Sequence, residues 1–171
     1  MMCTMHIIVP GNERSTTLHT TKNATSTITL LEQELTLLAR HQLSSAVQNP
    51  DLELDRSGYQ LLGRLELSAL TLKQLADAFR LDISTVNRQI AALRRKDLVE
   101  RQADPAGGLA QVLRPTRAGL ALLRRDRSVR HTQVAQVLET WDAGDVEQLQ
   151  MLLERFNTSI EALEGRPWPR P

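Results

Sequence analysis

Cysteine is almost absent from this chain of 171 residues: only Cys3 is present, which excludes an intramolecular disulfide and any Cys-x-x-Cys metal site. Aromatic residues make up 3%, so a core must be assembled from Leu, Ala, Val and Ile, a set that suits packed helices better than a sandwich of strands. No apolar run approaches the roughly 20 residues that cross a bilayer. The opening "MMCTMHIIVPGNERSTT" lacks a basic start followed by a long apolar stretch, so cytoplasm is the expected location. A large net charge is missing too, since the total is +1.

What is there is an uneven distribution of that charge. Between Thr71 and Arg125 stand eleven Lys and Arg against five acids, a local +6 that leaves −5 for the remainder. One basic block between acidic flanks is the asymmetry of a module that binds a polyanion.

Along the chain, residues 1–27 are rich in Thr, Ser and Asn without a sustained period and read as a flexible N-terminal extension. Six helical stretches and one hairpin follow. The first runs from about Ile28 to Val47, and "NPD" closes it. The second has Asp55 as N-cap, with Leu54 and Tyr59 spaced as a hydrophobic staple. The third has Thr71 and Gln74 spaced as a capping box, and Asp82 caps the fourth. "LVERQA" and "LAQVLR" flank "DPAGG" as a hairpin. Thr116 caps a fifth helix reaching about Trp141. Asp142 starts a sixth, whose apolar side carries Val146, Leu149, Leu153, Phe156, Ile160 and Leu163. The proline-rich "EGRPWPRP" ends it.

The fourth helix is the informative one. At about 100° per residue, Ile90 and Leu93 fall within roughly 40° of Val86, and Ser84, Arg88 and Arg95 lie near the opposite pole. Thr85 and Asn87 flank that outward side, and Ala91 keeps it low. Short hydrogen-bonding groups around a central Arg are the equipment for reading a major groove, where Arg grips guanine and Asn pairs with adenine. A solvated helix that happens to be basic is the plain alternative.

The order of the pieces decides between them. A short helix, a tight turn, this helix and a hairpin make a winged helix-turn-helix. "LTLKQLADAFRLDISTVNRQIAALRRKDLVERQADP" followed by "LRPTRAGLALL" resembles the MarR family of bacterial transcription regulators. The matching positions include Leu75, Ala76, Ser84, Thr85, Val86, Arg88, Leu93, Leu98, Val99, Arg101, Asp104, Pro105, Thr116, Gly119 and Leu122. "LDRSGYQLLGRL" resembles that family's second helix. The resemblance spans about residues 28–163. It implies a mainly α fold of about six helices plus a small β-hairpin wing, with the winged part at 54–115, dimerisation helices at 28–48 and 116–163, and a tail at 164–171.

The resemblance also implies a sequence-specific double-stranded DNA-binding regulator, a ligand-responsive repressor acting as a homodimer on a pseudo-palindromic operator, with half-sites roughly 34 Å apart. The DNA-contacting set would be Ser84, Thr85, Asn87, Arg88, Arg95, Arg101 and Arg114, the last two positioning on phosphates. A small-molecule effector, in relatives often an aromatic acid or other toxic compound, would meet His41, Tyr59 and Arg64.

Two departures stand out. The wing tip has Gly107, Gly108 and Leu109 where relatives carry an Arg for the minor groove. Asp97 stands where many have Gly, at a modest cost because Asp tolerates the left-handed region. The weaker wing motivates a second reading, a winged-helix protein–protein interaction module. Cys3 as an oxidant sensor and His41 with Glu34 or His131 as a metal site have little around them, and neither a metal nor a cofactor is expected. Arg124, Arg125, Arg127 and Arg130 read as a solvated face. No phosphate-binding glycine loop, Gly-x-Ser-x-Gly elbow or HExxH supports an enzyme.

Overall fold

Capping chemistry sets most of the element boundaries. The computed structural model describes residues 13–41, 50–103 and 111–170, and the chain divides into two compact units, 1–42 and 43–171.

In the first unit, α1 (Glu13–His41) is one helix of 29 residues. It begins well ahead of Ile28, so residues 13–27 are not an irregular extension. The reason is local: no Gly or Pro lies between Gly11 and Pro50, and Thr costs a helix only about 0.7 kcal/mol or less per residue. Leu30, Leu31, Leu37 and Leu38 are exposed along it. The expected stretch up to Val47 falls outside the described residues beyond His41, as do Cys3 and the wing tip at 104–110.

The second unit holds α2 (Arg56–Leu67), α3 (Leu72–Phe79), α4 (Ile83–Arg95), β1 (Val99–Ala103), β2 (Gln111–Pro115), α5 (Arg117–Val137) and α6 (Ala143–Glu164). The mainly helical architecture with a hairpin wing is as expected. Asp55 caps α2 by accepting from the Gly58 N–H at 2.7 Å. At α3 both arms of the capping box form, Gln74 N–H to Thr71 Oγ1 at 3.2 Å and Thr71 N–H to Gln74 Oε1 at 2.8 Å. Thr116 caps α5 through Gly119 N–H at 3.0 Å. Asp82 and Asp142 differ from expectation: both occupy the N-cap with extended backbone, yet neither side chain makes a capping hydrogen bond.

The core is a cluster of leucines with Val86, Ile90 and Val99. Leu62, Leu75, Val86, Ile90 and Leu123 are completely enclosed. Each such side chain contributes about 1.5–3 kcal/mol through burial. β1 and β2 pair antiparallel with Val99 opposite Pro115 and Ala103 opposite Gln111, and Leu70 bridges to Leu113 on the inner side. Gly119 lets α5 start against this core: a Cβ there would lie 2.1 Å from the Leu98 carbonyl oxygen.

α4 ends on Asp97, whose φ of 56° is left-handed. Asp97 N–H donates to the Arg94 carbonyl and Leu98 N–H to the Leu93 carbonyl, a Schellman closure with Leu93 and Leu98 both buried. The Thr116 hydroxyl donates to the Asp97 carbonyl at 2.6 Å, tying the end of α4 to the start of α5.

Candidate nucleic-acid interface

α4 buries Val86, Ile90 and Leu93 and nothing else, so its opposite side is defined by exclusion. Ser84, Asn87, Arg88 and Arg95 are exposed there, while Thr85, Ala91 and Ala92 are half-buried. The spacing of 84, 88 and 95 brings three of the expected residues onto one face.

Arg88 also forms one wall of a cleft of about 350 Å³ between α4 and the N-terminus of α2, shared with Glu53, Asp55, Ser57, Gln89 and Lys96. Two carboxylates this close would ordinarily claim the guanidinium. Both are occupied elsewhere. Asp55 accepts from Gly58 N–H and from the Ser57 hydroxyl, and Glu53 pairs with Arg125. Among the described residues Arg88 and Arg95 enter no salt bridge.

The arginines of α5 behave differently, and reading them all as a solvated face is corrected. Arg125 pairs with Glu53, and Arg127 Nη2 lies 2.8 Å from Glu66 Oε2. The hydrogen bond to Glu66 raises the Arg127 pKa against the opposing effect of partial burial. Arg130 stacks over the Tyr59 ring, 3.9 Å from its centroid. Arg124 remains exposed.

The wing arginines do not form a single patch. Arg101 stands opposite Leu113, and Arg114 opposite Glu100, so strand alternation places the two arginines on opposite faces of the hairpin. Arg114 also has a carboxylate as its cross-strand neighbour.

Of the expected effector residues, Tyr59 and Arg64 line one groove of about 320 Å³ with Phe79, Arg127, Trp168 and Pro169. Arg64 Nη1 donates to Ser68 Oγ at 2.9 Å, while its Nε is buried without a hydrogen-bond partner among the described residues. His41 is the last residue of α1, in the other unit, and is exposed.

Asp126 was not anticipated. It is the one buried charged side chain of the described residues, accepting Leu54 N–H at 2.9 Å and Glu53 N–H at 3.3 Å. It anchors the segment entering α2 to α5 and so sets the back of the cleft beside Arg88. Its signal was an Asp on the Gly119–Leu123 stripe, four and seven positions along one helical face.

A buried three-helix lobe with a hairpin wing and an outward polar, arginine-bearing second helix defines a winged helix-turn-helix protein. The sequence pattern of the MarR family matches residues 65–106. A Bacillus subtilis (strain 168) protein, the uncharacterised helix-turn-helix-type transcriptional regulator YxaD, is 36% identical over 135 residues, covering 78% of this chain and 94% of the relative. The chain belongs to the MarR family. Solved structures agree on the fold. A MarR family protein from Bacillus stearothermophilus superposes with a TM-score of 0.67 at 20% identity, over 80% of this chain and 96% of that one. Streptococcus pneumoniae FabT, in complex with DNA, gives 0.64 at 15% identity, over 80% and 99%.

Proposed function

We propose that this protein is a transcriptional regulator that binds double-stranded DNA as a homodimer, each subunit placing α4 in one of two successive major grooves of a pseudo-palindromic operator. The observation that carries the reading is the contrast between arginines. Arg125, Arg127 and Arg130 of α5 are engaged within the chain, whereas Arg88 and Arg95 stand exposed on the side of α4 opposite its buried stripe. With both neighbouring acids engaged elsewhere, the Arg88 guanidinium is left for an external acceptor. Ser84 and Asn87 add short polar groups for base edges, and Thr85, half-buried, is left a lesser part. Arg101 and Arg114 reach phosphates from the two faces of the wing and carry no sequence information.

The dimer follows from helices that bury little on their own. α6 has no buried residue, and Leu153, Phe156, Ile160 and Leu163 are exposed along it. A second copy of the chain is the occupant that would cover them. The same reading makes the protein a repressor whose operator occupancy answers to a small aromatic acid. That effector would enter the groove lined by Tyr59 and Arg64, a ring and a guanidinium suited to an aromatic carboxylate.

The test is selection of duplexes from a random pool, followed by titration of the selected site and of random duplex at two salt concentrations. Wild type should bind both and weaken steeply with salt. Arg88→Ala should lose about 1–3 kcal/mol on the selected site only, and Arg101→Ala should weaken both duplexes alike. Benzoate in the titration should release the selected duplex from wild type and not from Arg64→Leu. No salt-dependent binding to any duplex would leave the winged-helix protein–protein module as the better reading. Equal affinity of wild type and Arg88→Ala for the selected site would remove α4 from the groove.

A further inference from the structure

The chain does not end where α6 ends. Gly165, with φ of 64°, turns it, and its N–H and that of Arg166 close the helix on the carbonyls of Ala162 and Glu161. The segment that follows folds back onto α3, and all of its grips on that helix fall on its last turn and the residue after it. Arg80 Nη1 lies 2.8 Å from Glu164 Oε1. Arg166 Nη1 donates to the Asp77 carbonyl at 2.9 Å, a cation at the C-terminal end of α3 where the helix dipole favours it. Trp168 packs edge-on against Phe79, with centroids 5.1 Å apart and planes at 71°.

The segment is also held to α6. Glu161 takes both guanidinium nitrogens of Arg170, at 2.7 and 3.1 Å, and the Trp168 N–H at 3.1 Å. The hydrogen bonds from Arg170 first, and from Trp168 second, hold the Glu161 carboxyl below the ordinary glutamate range. Pro167 and Pro169 bracket Trp168 and restrict the backbone between the grips.

Where these contacts land matters more than their number. Arg80 is the left-handed residue, φ 54°, in the turn between α3 and α4. α3 is eight residues long and fully buries only Leu75 and Ala76, while Phe79 at its far end packs half-buried against the core. The segment after α6 grips that end from outside.

We propose that residues 164–170 are an intrachain latch that positions the helix-turn-helix relative to α6, with Arg166 and Trp168 as its positioning residues for DNA binding. This rests on the DNA reading above, in which α6 belongs to the dimer. The latch then makes the angle between dimer and recognition helix a fixed quantity, so that both copies of α4 meet their grooves without a further ordering cost. Neither residue touches DNA. Their effect is on the alignment of residues that do.

Arg166→Ala and Trp168→Ala, made separately in the full chain, test this by two readouts. Amide hydrogen exchange at residues 77–81 should speed up in both variants. Affinity for the duplex selected by wild type should fall about tenfold, while affinity for random duplex stays within about twofold and the dimer persists. Arg166→Lys, which keeps a cation and a donor for the Asp77 carbonyl, should recover most of the loss. A general packing defect would weaken both duplexes together, so the ratio separates positioning from simple stability. Unchanged exchange at 77–81 would show that the latch is not closed and overturn the proposal. So would faster exchange with unaltered or tighter binding to the selected duplex. If wild type enriches no duplex, the DNA reading falls, and the positioning role falls with it even where exchange reports a closed latch.

Discussion

Residues 52–123 bury most of their large apolar side chains among themselves, leaving Leu67, Leu81 and Ile83 exposed, whereas α6 fully buries none of its own. The winged lobe is finished within one chain. Its core leucines interlock, α2, α3 and α5 carry side-chain N-caps, and Asp126 accepts from the backbone of the segment that enters it. α6 carries comparable apolar residues with incomplete intrachain cover: Phe156 and Ile160 remain 37% and 38% exposed, and Leu163 remains 90% exposed. One region therefore carries its own core, and the other presents the face proposed for a second copy. The sharpest way to break this contrast is Phe156→Glu combined with Ile160→Glu. Placing two carboxylates per chain on the face proposed for the second copy should raise the dimer dissociation constant by about two to three orders of magnitude. The lobe should still melt cooperatively. Sedimentation equilibrium reads the first effect and circular dichroism the second. A dimer that persists with unchanged affinity would mean that another surface holds the copies together.

The same substitution made once in each region gives a second contrast. At Gly119 a methyl group would sit 2.1 Å from the Leu98 carbonyl oxygen, and 3.3 Å from Leu62 Cδ2. The start of α5 must move away from the wing to admit it. Gly119→Ala should cost about 2–4 kcal/mol of unfolding free energy. At Gly144, in the first turn of α6, nothing lies within 4 Å of the added carbon. There Ala replaces the less favourable helix residue, and a gain of a few tenths of a kcal/mol is expected. Chemical denaturation of the two variants checks both signs. Equal losses at the two positions would erase the distinction between a closed lobe and open flanks.

Much of the lobe was legible because its signals are local. Asp55, Thr71, Gln74 and Thr116 announce helix starts through chemistry that acts over three residues, and the stripe of Val86, Ile90 and Leu93 separates the two sides of α4 by period alone. What escaped was whatever depends on residues far apart in the chain. Asp126 caps backbone groups at Glu53 and Leu54 more than seventy positions away, and Arg166 finds Asp77 across 89. The arginines of α5 carried no sign of their partners, because Glu53, Glu66 and Tyr59 lie on other elements. The separation of Arg101 from Arg114 needed the register of β1 and β2, which "LVERQA" and "LAQVLR" do not specify by themselves. Helix α1 was placed too short for a different reason. Its Thr-rich first half has little apolar period, and the absence of Gly and Pro from 13 to 41 was the better guide.

Two helix ends with nearly the same backbone provide the smallest test of the comparison. α4 leaves through Asp97 at φ 56°, and α6 leaves through Gly165 at φ 64°. Only the second uses the residue that adopts this region without steric cost. In the lobe the penalty is tolerated because the Schellman bonds to Arg94 and Leu93 and the Thr116 hydroxyl hold the turn from both sides. Asp97→Gly should therefore stabilise the protein by about 0.5–1 kcal/mol, with α4 unchanged, since it relieves strain without removing a side-chain contact. Gly165→Ala should act in the opposite sense and in a different place. It leaves the lobe's unfolding free energy within about 0.5 kcal/mol but disfavours the turn that sends Arg166 and Trp168 back to α3, so hydrogen exchange at 77–81 should accelerate. A loss of stability on Asp97→Gly would mean that the Asp97 carboxylate does something for the lobe beyond tolerating its backbone.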